Sequence, residues 1–241
     1  MLETFLEVGI ETDDIAGAFE ELRSLGFALI NDGGIRDHGY AVVSDGHICI
    51  ALHDCELTGP WLSFVRPDLE SYVRALRRQG IELEIARLGE QEFHEVGFRD
   101  PNDQLVTLVE ARTFSPVAAE DIAASVCGTL LEYSLATGSV EDSARFWHGL
   151  GFETVAEGSE PHPWRRIHGP GISIGLHESV RLRPGLTFIA DQIGARVDYL
   201  QAKGHDIRTG APIVSNERPS ATLRLTVDLP IYLLENQAGA D

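Results

Sequence analysis

Two sets of acidic and imidazole side chains recur along the chain with nearly the same spacing. Each set has one glutamate followed by two histidines that are 15 residues apart. The sets are Glu7, His38 and His53 in the first half of the chain, and Glu132, His162 and His177 in the second half. Two imidazoles and a carboxylate are the donors of a divalent iron, manganese or zinc site with positions open for substrate. A carboxylate can also act as a general base, so Glu7 and Glu132 are the candidate catalytic residues.

Strand alternation predicts which way each glutamate points. In the first strand Leu6, Val8 and Ile10 alternate with polar residues, so this apolar set is expected beneath a helix and Glu7 on the opposite face. The same reasoning places Leu131, Tyr133 and Leu135 beneath a helix in the second half and leaves Glu132 on the opposite face. The two glutamates are therefore predicted at equivalent positions.

The histidines of each set belong to a predicted hairpin. Asp45-Gly46 stands between two alternating segments, which is typical of a two-residue hairpin turn, and it predicts that His38 lies directly opposite His53. Equivalent pairing places His162 opposite His177. Directly opposite residues have Cβ atoms about 5 Å apart, so each histidine pair should share one face of the sheet with its glutamate.

Several larger side chains are predicted on the same face as the histidines, where they would line a cavity. An aromatic lining suits a planar or apolar organic ligand, and an inward arginine suits a carboxylate or phosphate on that ligand. The predicted ligand-binding residues are Tyr40, Trp61, Thr107, Trp164, Arg166 and Tyr232. The aromatic residues could instead belong to a packed core, and Arg166 could form a salt bridge with Glu132.

The elements that position these residues form four similar units. Each unit is predicted to contain a strand, a helix and three further strands, with a glycine just after the helix, where a left-handed C-cap is common. The glycines are Gly26, Gly80, Gly151 and Gly204, with spacings of 54, 71 and 53 residues. The longer middle spacing indicates a linker. We predict a first domain at residues 1–112, a linker at 113–127 and a second domain at 128–241.

Four such units in two pairs resemble the vicinal oxygen chelate superfamily, which includes glyoxalase I, bleomycin-resistance proteins and extradiol dioxygenases. The resemblance covers nearly the whole chain, and its most telling local features are FRDPND at residues 98–103 and RFWHGLGF at residues 145–152. It implies an α+β fold in which each pair of units forms a mixed sheet curled around a cavity, with helices on the outer face.

The resemblance also implies where metal ligands would lie, namely on the first and last strands of the units. Glu7 and Glu132 stand at first-strand ligand positions, but Trp61 and Gly185 occupy the matching positions of units two and four. The last-strand positions hold Ala51, Thr107, Gly175 and Tyr232, where metal enzymes of the superfamily usually have glutamate. We therefore expect no cofactor and no family-type metal centre; the alternative is a divalent Fe, Mn or Zn ion on the Glu–His–His sets.

Composition narrows the choice of partner. The chain has 38 acidic and 19 basic residues in 241, so its formal charge of −19 disfavours nucleic acid and anionic membranes as partners. Three cysteines are too few for a disulfide framework, and no export signal or membrane segment is evident, which favours the cytoplasm. A monomer or a homodimer is expected.

These observations predict a small-organic-molecule binding protein of the glyoxalase, bleomycin-resistance or dioxygenase type, with an aromatic or anionic ligand. The alternatives are a metal-dependent lyase, isomerase or dioxygenase using a Glu–His–His set, and a metal-free enzyme with Glu7 or Glu132 as general base. In the simplest reading, the glutamates and histidines are only polar residues at a cavity rim, retained by internal duplication.

Overall fold

The computed structural model describes residues 2–31, 38–89, 93–111, 122, 124–215 and 217–237. The first domain contains β1 (Thr4–Glu11), α1 (Ile15–Ser24), β2 (Ala28–Asn31), β3 (Tyr40–Ser44), β4 (Cys49–His53), β5 (Trp61–Arg66), α2 (Leu69–Arg78), β6 (Ile85–Arg87), β7 (Glu95–Arg99) and β8 (Leu105–Glu110). The eight strands form one sheet in the order β2-β3-β4-β1-β5-β8-β7-β6. It is mixed, because β1 runs parallel to β4 and antiparallel to β5.

The second domain repeats this arrangement. It contains β9 (Thr129–Ala136), α3 (Val140–Gly149), β10 (Glu153–Gly158), β11 (Trp164–Gly169), β12 (Ile172–His177), β13 (Gly185–Ala190), α4 (Ile193–Ala202), β14 (Asp206–Thr209), β15 (Ser220–Arg224) and β16 (Ile231–Glu235). Its sheet order is β10-β11-β12-β9-β13-β16-β15-β14, the exact counterpart of the first. The four predicted units and the α+β fold are confirmed. The sheets are open and not strongly curled, so the curling that the resemblance implies is less than expected.

The ends of the helices follow the signals in the sequence. The Asp14 side chain caps α1 by accepting a hydrogen bond from the backbone of Gly17, and Ser139 caps α3 in the same way through Asp142. All four glycines of the repeat have positive φ, between 79° and 100°, as the left-handed C-cap requires. These local signals fix where each helix stops and the next strand begins.

One face of each sheet packs against the helices, and we call the other the inner face. Val8 and Ile10 of β1 lie in the core on the helix side, whereas Glu7 projects from the inner face, as predicted. The prediction for Leu6 and Leu131 is wrong. Each is the extra residue of a β-bulge, so strict alternation fails there. Leu131 packs instead against the cluster of buried residues that includes Tyr232 and Leu234.

Both hairpins have a register that differs by two residues from the prediction. Tyr40, not His38, lies opposite His53, because residues 45–48 form a four-residue loop in place of the predicted turn at Asp45-Gly46. The Asp45 carboxylate accepts hydrogen bonds from the backbone of two residues in that loop and so stabilises it. In the second domain Trp164 lies opposite His177. A shift of two preserves the face, so the histidines still meet diagonally.

The helix sides of the two domains share one core. Trp147 donates a hydrogen bond from Nε1 to Oδ2 of Asp100 at 3.2 Å, and the Phe98 and Phe146 rings lie 6.3 Å apart between centroids. The two segments that carry the family resemblance therefore contact each other across the domain boundary. The predicted linker at 113–127 lies mostly outside the described residues, so the domain limits remain predictions. No helix in the described ranges is long and apolar enough to cross a membrane.

Candidate functional site

The inner face of the second domain holds a buried carboxylate with three hydrogen-bond donors. Glu132 on β9 is 2 % exposed. Its Oε1 accepts from Nε2 of His177 at 2.7 Å and from the Ser134 hydroxyl at 2.9 Å, and its Oε2 accepts from Nε of Arg166 at 2.7 Å. Gly175 on the neighbouring strand makes this possible, because a Cβ there would lie 1.9 Å from Oε1 of Glu132.

The electrostatics of this cluster favour an ionised Glu132. Burial alone would raise the pKa of the carboxyl group, but the hydrogen bond from His177 and the charge of Arg166 outweigh it and hold the pKa below its ordinary value. The salt bridge with Arg166 that the sequence left as an alternative is therefore present. Glu132 itself is poorly placed as a general base for a ligand, because its oxygens are committed to neighbours.

The histidines continue the chain of hydrogen bonds outward. Nδ1 of His177 lies 3.3 Å from Nε2 of the half-buried His162. If His177 donates from Nε2 to Glu132, its Nδ1 must accept from His162, which leaves Nδ1 of His162 with a lone pair. Partial burial and the neighbouring His177 both lower the pKa of His162, which favours its neutral form. The order Glu132, His177, His162 is that of a carboxylate orienting a base.

The first domain has the same residues in a looser arrangement. Nε2 of His38 lies 3.0 Å from Nδ1 of His53, but Nε2 of His53 is 3.8 Å from Oε1 of Glu7, too far for a hydrogen bond. Val42 pairs with Ala51 at the hairpin position where the second domain has Arg166 opposite Gly175. At this hairpin position, therefore, the first domain has an aliphatic side chain where the second domain has a guanidinium.

Aromatic packing fills the inner face of the first domain. Trp61 is 2 % exposed and lies over Gly9, where a Cβ would be 2.1 Å from the indole. The rings of Tyr40 and Trp61 each lie 5.0 Å from the His53 ring between centroids. Thr107 is buried and shares a 2.8 Å hydrogen bond with Ser63. The structure thus places three predicted ligand-binding residues, Tyr40, Trp61 and Thr107, in or against a packed interior.

The Glu–His–His set of the second domain does not converge as the ligands of one metal ion would. Donors to a divalent ion lie about 2.0–2.2 Å from it with lone pairs aimed at one point. His177 instead turns one ring nitrogen to Glu132 and the other to His162. Within the described part of the chain, no group of three or more His, Cys, Asp or Glu residues is placed to hold a metal ion. As arranged, the second-domain set fits a hydrogen-bonded relay and not a three-ligand metal site.

A cavity of about 600 Å³ lies at the β14–β16 end of the second domain. Tyr232 of β16 forms part of its wall, and apolar contributions come from Pro212, Leu225 and Pro230. Tyr232 pairs with Thr187, which in turn pairs with Glu132, so the cavity and the carboxylate are two strands apart on one face, roughly 10 Å. Of the predicted ligand-binding residues, Trp164 and Arg166 lie at the relay and Tyr232 at the cavity.

Sequence reasoning missed the most polar part of this cavity. Its lining includes four arginines: Arg181, Arg183, Arg208 and Arg224. Arg208 pairs with Thr222, which pairs with Tyr232, so alternation along β14 and β15 could have indicated the inner position of Arg208. Arg181 and Arg183 precede β13 in a connection without periodicity, and no sequence signal places them.

Comparison with known proteins identifies the fold. No protein-family model and no curated protein matches the sequence. Among solved structures, a 2,3-dioxygenase from Pseudomonas sp. KL28 is similar at a TM-score of 0.65 and 14 % identity, over 98 % of this chain and 92 % of that one. A variant of homoprotocatechuate 2,3-dioxygenase from Brevibacterium fuscum gives 0.66 and 13 %, over 98 % and 72 %.

A third similar structure is 2,2',3-trihydroxybiphenyl 1,2-dioxygenase from Sphingomonas wittichii strain RW1, at a TM-score of 0.63 and 14 % identity, over 98 % of this chain and 91 % of that one. The similarity spans both eight-stranded sheets. The chain therefore has the vicinal oxygen chelate fold in the tandem form of the extradiol dioxygenases, which confirms the resemblance found in the sequence.

Proposed function

We propose that this chain, which has the fold of the extradiol dioxygenases, binds a small organic molecule on the inner face of its second domain. The observation that carries the proposal is the cavity of about 600 Å³ beside Tyr232. Sites for small organic ligands have volumes of roughly 300–1,000 Å³ and combine apolar walls with a few polar groups. Two of the similar structures are named for homoprotocatechuate and trihydroxybiphenyl, which supports an aromatic ligand here.

The difference between the two domains supports placing the ligand in the second one. In the first domain Ile85 pairs with Gly97, and a Cβ on Gly97 would lie 2.9 Å from the Ile85 side chain, so an aliphatic group covers that part of the face. The matching pair in the second domain is Arg208 with Thr222. Gly185 also takes the place of Trp61, which removes the indole that fills the first domain.

Binding can be tested by thermal unfolding with a panel of neutral and anionic aromatic compounds, followed by calorimetry. At least one compound should raise the Tm of the wild type and bind with one-to-one stoichiometry. Thr222→Trp, which fills the cavity, should abolish the effect. Val155→Trp is the matched control, because it adds the same side chain at an exposed position of the same domain. Binding that survives Thr222→Trp, or no binding by any compound, would contradict the proposal.

A second candidate function is general-base catalysis on a small molecule that contacts the outer end of the relay, away from the cavity, with His162 rather than Glu132 as the proton acceptor. It is favoured by the 2.7 Å bond between Glu132 and His177, which stabilises the positive charge formed when the relay takes up a proton. Each compound of the panel is incubated with the protein in D₂O, and proton NMR follows the exchange of its C–H protons for deuterium. His162→Gln should abolish exchange, while His38→Gln, the matched change in the first domain, should retain it. Wild-type exchange rates in His162→Gln would exclude this role.

A further inference from the structure

The cavity beside Tyr232 concentrates positive charge in an acidic chain. The whole sequence has a formal charge of −19, yet the cavity lining contains four arginines and one carboxylate, that of Asp228. A concave site lined by one sign of charge attracts ligands of the opposite sign. Such a local reversal of charge has a direct electrostatic cost, because the arginines repel one another, and a bound anion would relieve that repulsion.

Two of these guanidinium groups are available to a ligand. Arg183 forms an ion pair with Asp228, and Arg208 lies 3.3 Å from the carboxylate of Asp206. Arg181 and Arg224 also line the cavity, and the side chain of neither forms an ion pair or hydrogen bond with any residue that the structure describes. The cavity therefore has more cationic groups than its own carboxylates neutralise.

The equivalent arginine of the first domain, Arg99, is neutralised by an ion pair. Arg99 stands two residues after Gly97, as Arg224 stands two residues after Thr222, and both strands pair with the last strand of their unit in the same register. The guanidinium of Arg99 donates to both carboxylate oxygens of Glu84, at 2.6 and 3.1 Å. The guanidinium at this position is thus ion-paired within the protein in the first domain, whereas in the second domain it lines the cavity without an ion pair to any described residue.

The type of cation indicates the type of ligand group. Of the 19 basic residues in the chain only Lys203 is lysine, and the cavity cations are all arginines. The planar guanidinium fork matches the two oxygens of a carboxylate or phosphate. Pro212, Leu225 and Pro230 supply apolar wall beside these groups. The lining therefore combines a surface for an organic body with donors for an oxyanion.

We propose that the ligand of this cavity is an organic anion whose carboxylate or phosphate group is held by Arg181 and Arg224, with Arg208 beside them. This assignment rests on the proposed small-molecule binding and names its chemical class. Tyr232 acts as a positioning residue: its hydroxyl donates to the carbonyl oxygen of Arg183 at 2.9 Å and accepts from the Arg183 backbone at 3.3 Å. These two hydrogen bonds hold the segment that carries Arg181 and Arg183 at the cavity wall.

Calorimetry with four probes tests the assignment: phthalate, phenyl phosphate, inorganic phosphate and the neutral benzyl alcohol. Phthalate or phenyl phosphate should bind, at least tenfold more tightly than benzyl alcohol, and raising NaCl from 50 to 500 mM should weaken that binding. Inorganic phosphate should bind more weakly than phenyl phosphate, because it lacks an apolar body. Comparison of phthalate with phenyl phosphate distinguishes the two oxyanions.

Arg224→Gln and Arg181→Gln should each weaken binding of the preferred anion about tenfold, because each removes a charge-assisted contact. Arg145→Gln is the matched control: it removes the same charge from an exposed position on α3 and should leave the affinity unchanged. Arg181 and Arg224 are both exposed, so both variants should fold, and circular dichroism checks this. Equal binding of benzyl alcohol, or wild-type affinity in both arginine variants, would overturn the anion assignment but not small-molecule binding. Failure of all four probes would overturn the anion assignment, whereas only the full panel tests binding itself.

Discussion

The buried carboxylate at the second-domain relay offers a direct test of the site's energetics. Glu132→Gln keeps the shape of the side chain and removes its charge. The glutamine amide can still donate to Nε2 of His177 if the imidazole changes tautomer, and Ser134 can rotate its hydroxyl to match. Arg166 loses its counter-ion, and that loss determines the cost.

The expected cost can be bounded from the structure. Breaking a fully buried ion pair by removing one partner costs about 3–5 kcal/mol. The Arg166 side chain is 24 % exposed, so water screens part of the lost charge, and the new amide restores some hydrogen bonding. We therefore expect Glu132→Gln to lower the free energy of unfolding by about 2–4 kcal/mol.

Glu141→Gln is the matched control in the second domain. It makes the same change at a carboxylate whose side chain is 66 % exposed, where ion pairs contribute little to stability, so its cost should be at least about 1 kcal/mol smaller. Urea unfolding at pH 7, followed by far-UV circular dichroism with the m-value checked for each variant, measures both changes. Equal costs for the two substitutions, or a cost below about 1 kcal/mol for Glu132→Gln, would contradict a buried ion pair that stabilises the fold.

Three further outcomes follow from the geometry of the two inner faces. Gly175→Ala should cost about 2 kcal/mol or more, because its Cβ would lie 1.9 Å from Oε1 of Glu132; stability within about 0.5 kcal/mol of wild type would contradict this. Gly9→Ala should be at least as harmful by the same urea measurement, since Trp61 is 2.1 Å from the new Cβ, whereas Gly149→Ala meets no atom within 4 Å and serves as the control. The pKa of Glu132 is lower in the folded state than its ordinary value of 4.5. The ionised carboxylate therefore stabilises the protein at pH values above 4.5, and this contribution is lost as the pH falls below 4.5 towards the pKa of the folded state. The difference in stability between wild type and Glu132→Gln should thus shrink from pH 7 to pH 4, and a constant difference would exclude that account.

The sequence by itself determined the repeat, the strand and helix units and the inner orientation of Glu7 and Glu132. These features depend on short-range physics, namely alternation with period two, side-chain caps and glycines at positive φ, which few residues suffice to specify. It did not determine the hairpin registers, because the bonds that Asp45 makes within its loop competed with the simpler Asp-Gly turn. Nor did it reveal the bulges at Leu6 and Leu131, which interrupt alternation without a residue signature of their own.

Only the tertiary structure decided how the predicted site residues are arranged. Both domains carry the same Glu–His–His set, yet the distance from the glutamate oxygen to Nε2 of the nearer histidine is 2.7 Å in the second domain and 3.8 Å in the first. The cavity arginines come from a loop and two strands that the sequence separates by about 40 residues. Distances and charge between such segments depend on register and packing across the whole sheet, and no local pattern encodes them.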